Sequence, residues 1–503
     1  MRKPDPKAPD ATGAPREGLS RRLILAGGAV LALGPQPAAA QAPARKAAPE
    51  PKPALEAKPD APPAPAPKPL KAAPAQARLK PAPAPETAVW RLGSETAPPV
   101  LRIKLGEAVS LQVENATDKP LALHWHGVRN RNAMDGVGGI TQAPIAPGET
   151  FLYAFTPPDA GTFLIRPLVV GGAGEPSGRG LAGLLVVDEP TPPAVDQDVT
   201  LLLQDWRLDD AGALVPFGQV AFAAAAGRLG SAVTVNGMPV PLALEARPGS
   251  RLRLRLANAC NARVIRLRFD GIKAFVAAVD GQPTDTFEPL KATLPFAPGT
   301  RYDLLLDVPA ELPAQAGPAG TILALVGQGL ALATITLKGE PVAQQGRPAI
   351  ASIPENKRLP AEIRLQSALR REFVLSGGVK PDPVKPGVAP TYTGDPARVW
   401  QVNGASGAAG APPLFTVKRG QVVVLTIRND SAFLQTLHLH GHVFRLLHQL
   451  DDGWEPYWLD TVQIPEGRSA QIAFVADNPG RWLLSSTVLE RFDTGLWTSF
   501  EVT

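Results

Sequence analysis

Three stretches of this chain repeat one pattern at fixed offsets, and that repetition limits the fold more than any other feature. They are Val100-Leu-Arg-Ile-Lys-Leu-Gly106, Leu244-Glu-Ala-Arg-Pro-Gly249 and Phe415-Thr-Val-Lys-Arg-Gly420. An alternating apolar run follows each glycine, and nine residues after it stands an asparagine: Asn115, Asn258 and Asn429. Alternation on both sides of a glycine turn predicts a β-hairpin in each copy. Further on come Gly148-Glu-Thr-Phe-Leu-Tyr-Ala-Phe, Gly299-Thr-Arg-Tyr-Asp-Leu-Leu-Leu and Gly467-Arg-Ser-Ala-Gln-Ile-Ala-Phe. Fixed offsets in three copies argue for internal duplication, and short strands between turn signals predict three β-sandwiches. The first-motif glycines lie 143 and 171 residues apart, one sandwich each. The longer interval holds a Pro/polar linker near 340–362. The reading is an all-β body with domains at 88–192, 193–343 and 362–503.

The segment ahead of the repeats has a different character. Ser20-Arg-Arg-Leu-Ile-Leu25 opens an apolar run to Leu33, followed by Pro35, Pro37 and Ala38-Ala39-Ala40. A basic region, a short apolar region and small residues are the parts of an export signal. The run is shorter than the ~20 residues of a membrane span. Arg21-Arg22 fits the twin-arginine type, with an ordinary secretory signal as the alternative. Residues 1–40 are therefore expected to be removed and the mature protein to be periplasmic, with no transmembrane span. Residues 41–87 carry 14 prolines in 47 positions. That composition predicts a disordered, polyproline-like tether.

Locating the charge removes one class of partner. The whole chain carries +5, but residues 1–40 hold +3 and the tether +4, which leaves 88–503 at −2. A body without net positive charge does not support nucleic-acid binding.

The chemistry concentrates in six histidines and one cysteine. A lone cysteine rules out a disulfide within the chain and a thiolate-rich zinc site. Copies one and three each place His-X-His-Gly eighteen residues after the motif glycine: His124-Trp-His126-Gly127 and His438-Leu-His440-Gly441. Residues i and i+2 of a strand share a face, so each pair presents two imidazoles together. Neutral imidazole suits copper, zinc, iron or nickel. Copy two holds Leu267-Arg-Phe269 at that offset. His442, His448, Met134 and Met238 read as packing or structural residues, and Cys260 as a small buried hydrophobe. Asp135 and Asp460 have no identifiable acid–base partner.

These motifs, with Asn132-Ala-Met-Asp-Gly136, Pro144-Ile-Ala-Pro-Gly148, Thr156-Pro-Pro-Asp-Ala-Gly-Thr-Phe163, Asp460-Thr-Val and Asp477-Asn-Pro-Gly-Arg-Trp482, resemble the multicopper oxidase (laccase-like) family. The resemblance covers residues 88–503 and implies three Greek-key cupredoxin-like sandwiches. It also implies four copper-ligand motifs. The first and third are kept as His124, His126, His438 and His440. The second reads Arg166 and Leu168 in place of two histidines. The fourth reads Ser485-Ser486-Thr487, then Arg491 and Leu496, and a further family histidine is Gln435. The thiolate and imidazoles of a type 1 blue copper are thus absent, and most type 3 ligands are gone. The type 2 positions His124 and His438 remain, so copper is limited to one or two type 2-like ions. The leading expectation is a periplasmic scaffold or interaction protein with a protein partner, not a working laccase. The alternative is a copper-ion-binding protein or oxidoreductase using the residual site between domains one and three.

Overall fold

The apolar alternation around each motif glycine does build strands, but the two flanking strands do not pair with each other. Val100–Lys104 lies in one sheet and Val109–Asn115 in another. Leu242–Ala246 and Arg251–Asn258 divide in the same way, as do Thr416–Val417 and Val422–Asn429. The hairpin expectation is corrected in all three copies. Each glycine turn is an arch that carries the chain across the core to the facing sheet. Both strands direct apolar residues into one sandwich interior, and an arch places those residues opposite each other. Gly106 takes φ +96° at the first arch, a left-handed conformation that a Cβ disfavours.

The computed structural model describes residues 66–93, 96–311, 317–342, 347–380, 391–448, 453 and 455–503. The expected export signal and the tether up to residue 65 lie outside the described residues. Sandwich one packs the sheet Thr87–Leu92, Lys68–Ala77, Val109–Asn115, Thr150–Phe155 with the sheet Val100–Lys104, Gly183–Asp188, Gly161–Pro167, Leu123–His126. Sandwich two, from Gln197–Trp206 to Leu330–Leu337, has a seven- and a five-stranded sheet. Sandwich three, from Leu369–Gly377 to Trp497–Val502, has two five-stranded sheets.

The repeated asparagines tie the two sequence motifs together. Asn115 Nδ2 donates to the Lys119 and Ile145 carbonyls, both at 2.8 Å. Asn258 Nδ2 donates to Arg263 (3.1 Å) and Phe296 (2.8 Å), and Asn429 Nδ2 to Phe433 (2.8 Å) and Ile464 (2.9 Å). The backbone N–H of Gly148, Gly299 and Gly467 donates in turn to the carbonyl of Asn115, Asn258 and Asn429. All three asparagines are fully buried, so one side chain per copy satisfies loop carbonyls that water does not reach.

The tether ends earlier than its composition suggests. Lys68–Ala77 is a strand inside sandwich one, so disorder through residue 87 is corrected. Its first half pairs in parallel with Val109–Asn115 and its second half antiparallel with Thr87–Leu92, the two ladders sharing only Ala72. Pro69 and Pro74 therefore each have one side without a partner strand. That is the edge-like setting in which a residue lacking N–H is tolerated. Leu70 and Ala72 face the core.

Apolar contacts join the sandwiches near the histidines. Val137, Leu168 and Ala173 of the first pack against Leu483, Leu489, Phe492 and Trp497 of the third. Leu164, Ala182 and Leu184 meet Leu202, Ala257 and Ala259 of the second.

Candidate metal centre

His124 and His126 sit on one face of the strand Leu123–His126, and His438 lies on Gln435–Leu439 with His440 one residue past its end. The four rings converge at the junction of sandwiches one and three. His126 stacks on His438 with centroids 3.7 Å apart, and His124 stacks on His440 at 4.2 Å. One ring nitrogen from each of His124, His126 and His438 lies within 4.8 Å of the others, and His124, Asp135 and His440 form a second such group. All four predicted ligands are thus brought together and buried.

Their hydrogen bonds divide them. His124 Nδ1 donates to the Asp135 carbonyl at 2.8 Å, and His438 Nδ1 to the Asp460 carbonyl at 3.0 Å. A carbonyl only accepts, so Nδ1 carries the proton, and in the neutral ring Nε2 holds a lone pair. Nε2 of both rings is buried without a partner. His440 is saturated: Nδ1 donates to Asp135 Oδ2 and Nε2 accepts from Ser485 Oγ, both at 2.9 Å. His126 Nε2 bonds Thr461 Oγ1 at 3.1 Å. That hydroxyl already donates to Asp460 Oδ1 at 2.8 Å, so the imidazole is the donor and its lone pair is on Nδ1. Burial holds His438 below its ordinary range and brings His440 down to about 3. Burial, with the neighbouring His438, also holds His126 well below its ordinary range. These three rings are therefore neutral at physiological pH. Burial would raise the Asp135 carboxyl, but the His124 and His440 rings hold it well below the usual range.

Sandwich two contributes without any histidine. Buried Arg301 binds Asp460 bidentately, Nη1 to Oδ1 at 2.9 Å and Nη2 to Oδ2 at 2.6 Å, and donates to the Gly299 carbonyl at 2.9 Å. Asp280 accepts from the backbone N–H of Arg301 and Thr461, both at 3.1 Å. Burial and the Asp460 charge push the Asp280 carboxyl up to about 7, while Arg301 keeps Asp460 well below the usual range against its burial. One guanidinium thus neutralises one carboxylate, and the second carboxyl carries a proton more readily. Gly127 at φ +91° leaves the room: a Cβ there would collide with Arg301 and come within 2.7 Å of Asp460 Oδ2. Sequence reasoning missed Asp135, Asp460 and Arg301 as positioning residues. The available signal was Arg301 directly after Gly299-Thr300, and the Asp that follows each histidine motif, nine residues after His126 and twenty after His440.

The positions where the family resemblance would put a blue copper also come together. Arg491 Nη1 donates to Gln435 Oε1 at 2.7 Å and to the Leu434 carbonyl at 2.8 Å, and Nη2 donates to Ala225 O at 3.0 Å. Its guanidinium lies 4.9 Å from the Trp400 centroid and 5.5 Å from that of Phe433. Gln435 Nε2 donates to Ser431 Oγ at 2.8 Å. Ser486 N donates to the Leu496 carbonyl at 2.9 Å. Burial lowers Arg491 to about 10. Arg166 pairs with His124 across the strands and donates from Nη2 to the Thr487 carbonyl at 3.1 Å. Burial lowers it also to about 10. Leu168 is core. Cys260 is a free, buried thiol in sandwich two. His442 Nδ1 donates to the His440 carbonyl at 3.0 Å, and its ring packs on Phe474, Trp482 and Phe500.

Family profiles described as multicopper oxidase match residues 75–192, 197–315 and 382–503. The chain belongs to the multicopper oxidase family. Its sandwiches are accordingly cupredoxin-like domains, and copper is the metal the family implies. Among multicopper oxidases of known structure, one from Pseudomonas thermotolerans is 31% identical, with TM-score 0.73 over 87% of this chain and 98% of the other. Another from Pseudomonas parafulva is 30% identical, with TM-score 0.74 over 87% and 100%. The multicopper oxidase MmcO of Mycobacterium tuberculosis is 27% identical over 78% of this chain and 79% of its own.

Proposed function

We propose that this multicopper oxidase relative is an exported periplasmic protein that does not turn over as a laccase and acts as a scaffold or interaction protein. The observation that carries the reading is the Arg491 clamp. Type 1 copper requires a thiolate and imidazoles, and at those positions stand a guanidinium, an amide, a hydroxyl and a leucine. The guanidinium is held by three neutral acceptors and two aromatic rings. The arrangement is a packed structural unit in which both Nη atoms are bonded and Nε is left without a partner, and a cation fixed there repels a second cation. The Arg21-Arg22 signal supports export by the twin-arginine route.

A second reading rests on a separate observation, the two unpartnered Nε2 atoms. His124 and His438 fit a copper ion: both rings are buried and oriented through Nδ1 by backbone carbonyls, with Nε2 left open. Copper held there would supply Lewis acidity and one-electron redox. Asp135 and Asp460 fix the tautomers and Arg301 anchors Asp460, so the chain's own contribution is orientation.

Metal analysis with optical and EPR spectra, on protein exported into the periplasm of copper-supplemented cells, separates these readings. No intense blue band and no stoichiometric copper support the scaffold. About one copper per chain with a type 2 signal supports the second reading. A blue band with phenol oxidation overturns both.

A further inference from the structure

A cavity of about 170 Å³ opens between the loop before the helix Gly174–Gly178, the segment around the helix Val220–Ala223 and the helix Leu489–Asp493. Its lining includes two carboxyl groups, those of Glu490 and Asp493. Both Glu490 oxygens are shielded from solvent and neither accepts a hydrogen bond of proper geometry. Asp493 accepts from the backbone N–H of Ala173 at 2.7 Å and of Gly174 at 2.8 Å. The two acids face one space. A Cβ placed on Gly174 would stand 3.0 Å from Asp493 Oδ2 and 3.7 Å from the Glu490 carboxyl carbon. Arg228 does not reach Glu490 as an ion pair, because its guanidinium donates to the carbonyls of Val215 and Pro216 and lies 4.0 Å from the Phe217 centroid. Phe217, Val220 and Phe222 give the lining an apolar wall, beside Gln219 and Arg228.

We propose that this cavity binds a primary ammonium group on a short alkyl stem. Two buried Glu490 oxygens without donors call for a charged donor, and an ammonium brings three N–H groups. The apolar wall suits the stem and disfavours a hydrated metal ion, which would keep its waters. The volume matches about five or six waters, room for a small amine and little more. Burial raises both carboxyls, Asp493 to about 7, while the Arg228 charge pulls Glu490 back only in part. The site shares no residue with the histidine cluster, so it stands or falls apart from the proposed function.

Titration of n-butylammonium chloride into the full exported chain, followed by calorimetry, tests the proposal. One saturable site is expected, with n-butanol binding at least about tenfold more weakly. Glu490→Gln should weaken the amine by about tenfold or more. Gly174→Ala should do the same by filling the space over both acids, and circular dichroism should show both variants folded. No saturable binding, equal binding of n-butanol, unchanged affinity in a folded variant, or displacement of the amine by lower concentrations of MnCl₂ would each overturn it.

Discussion

Arg491 donates from Nη1 to Gln435 Oε1 at 2.7 Å, joining the helix Leu489–Asp493 to the strand Gln435–Leu439 beneath the Trp400 ring. Two residues that look like separate losses in the sequence are a matched pair in the fold. The amide accepts from the guanidinium, turns its own Nε2 to Ser431, and leaves no orphaned polar group on the side chain.

Removing that guanidinium strands the acceptors it serves. Arg491→Met should lower unfolding free energy by about 2–4 kcal/mol, because Gln435 Oε1 and two carbonyls lose their donor in a buried site. Arg491→Lys should recover only part, since an ammonium lacks the planar fork. Urea unfolding of the three proteins checks the order.

The histidines should respond in opposite ways. On the copper-site reading, the double variant His124→Ala/His438→Ala removes the two open Nε2 atoms, so bound copper should fall to background. His440→Ala leaves Asp135 and Ser485 without a shared partner. It should cost about 1–3 kcal/mol of stability while retaining copper. Metal content and thermal melts on the same preparations decide this, and copper lost only in the His440 variant would refute the assignment.

Asp460→Asn should destabilise strongly, by about 3–5 kcal/mol, because Arg301 is left charged and buried without its bidentate partner. Asp280 would then gain in acidity, as the carboxylate that repels it is gone and Arg301 remains. Guanidinium unfolding reports the first effect.

Stability should fall as pH rises through the range between the free carboxyl value and about 7 for Asp493. In that window the native state holds the proton and the unfolded state has released it, so the unfolded state is favoured by each step up in pH. Asp493→Asn should flatten the decline between pH 5 and pH 8, by about 1–2 kcal/mol, even though the amide accepts one backbone N–H fewer. An unchanged slope would place the titrating group elsewhere.

How much was legible differs from residue to residue. The His-X-His pairs could be placed together because a strand's side-chain period of two is a local property, and the matched offsets put both strands at one level of equivalent sandwiches. The arches could not be distinguished from hairpins. The same glycine turn and the same alternation serve both, and only the facing sheet decides which forms. Lys68–Ala77 was hidden by composition, since proline content describes a chain with no partner strand, and here Val109–Asn115 and Thr87–Leu92 each supply one to half of it.

The sequence by itself determined the threefold β architecture, the pairing of the histidines and the absence of a thiolate where a blue copper would need one. The first two follow from periodicity and offset, which are local, and the third from the family resemblance that locates the blue-copper positions. The tertiary structure alone decided which imidazole nitrogens stay open, that Arg301 of the histidine-free domain anchors the centre, and that Glu490 and Asp493 share one cavity. Those outcomes depend on which carbonyls, carboxylates and hydroxyls reach a buried side chain from distant parts of the chain, and burial makes each of those contacts count.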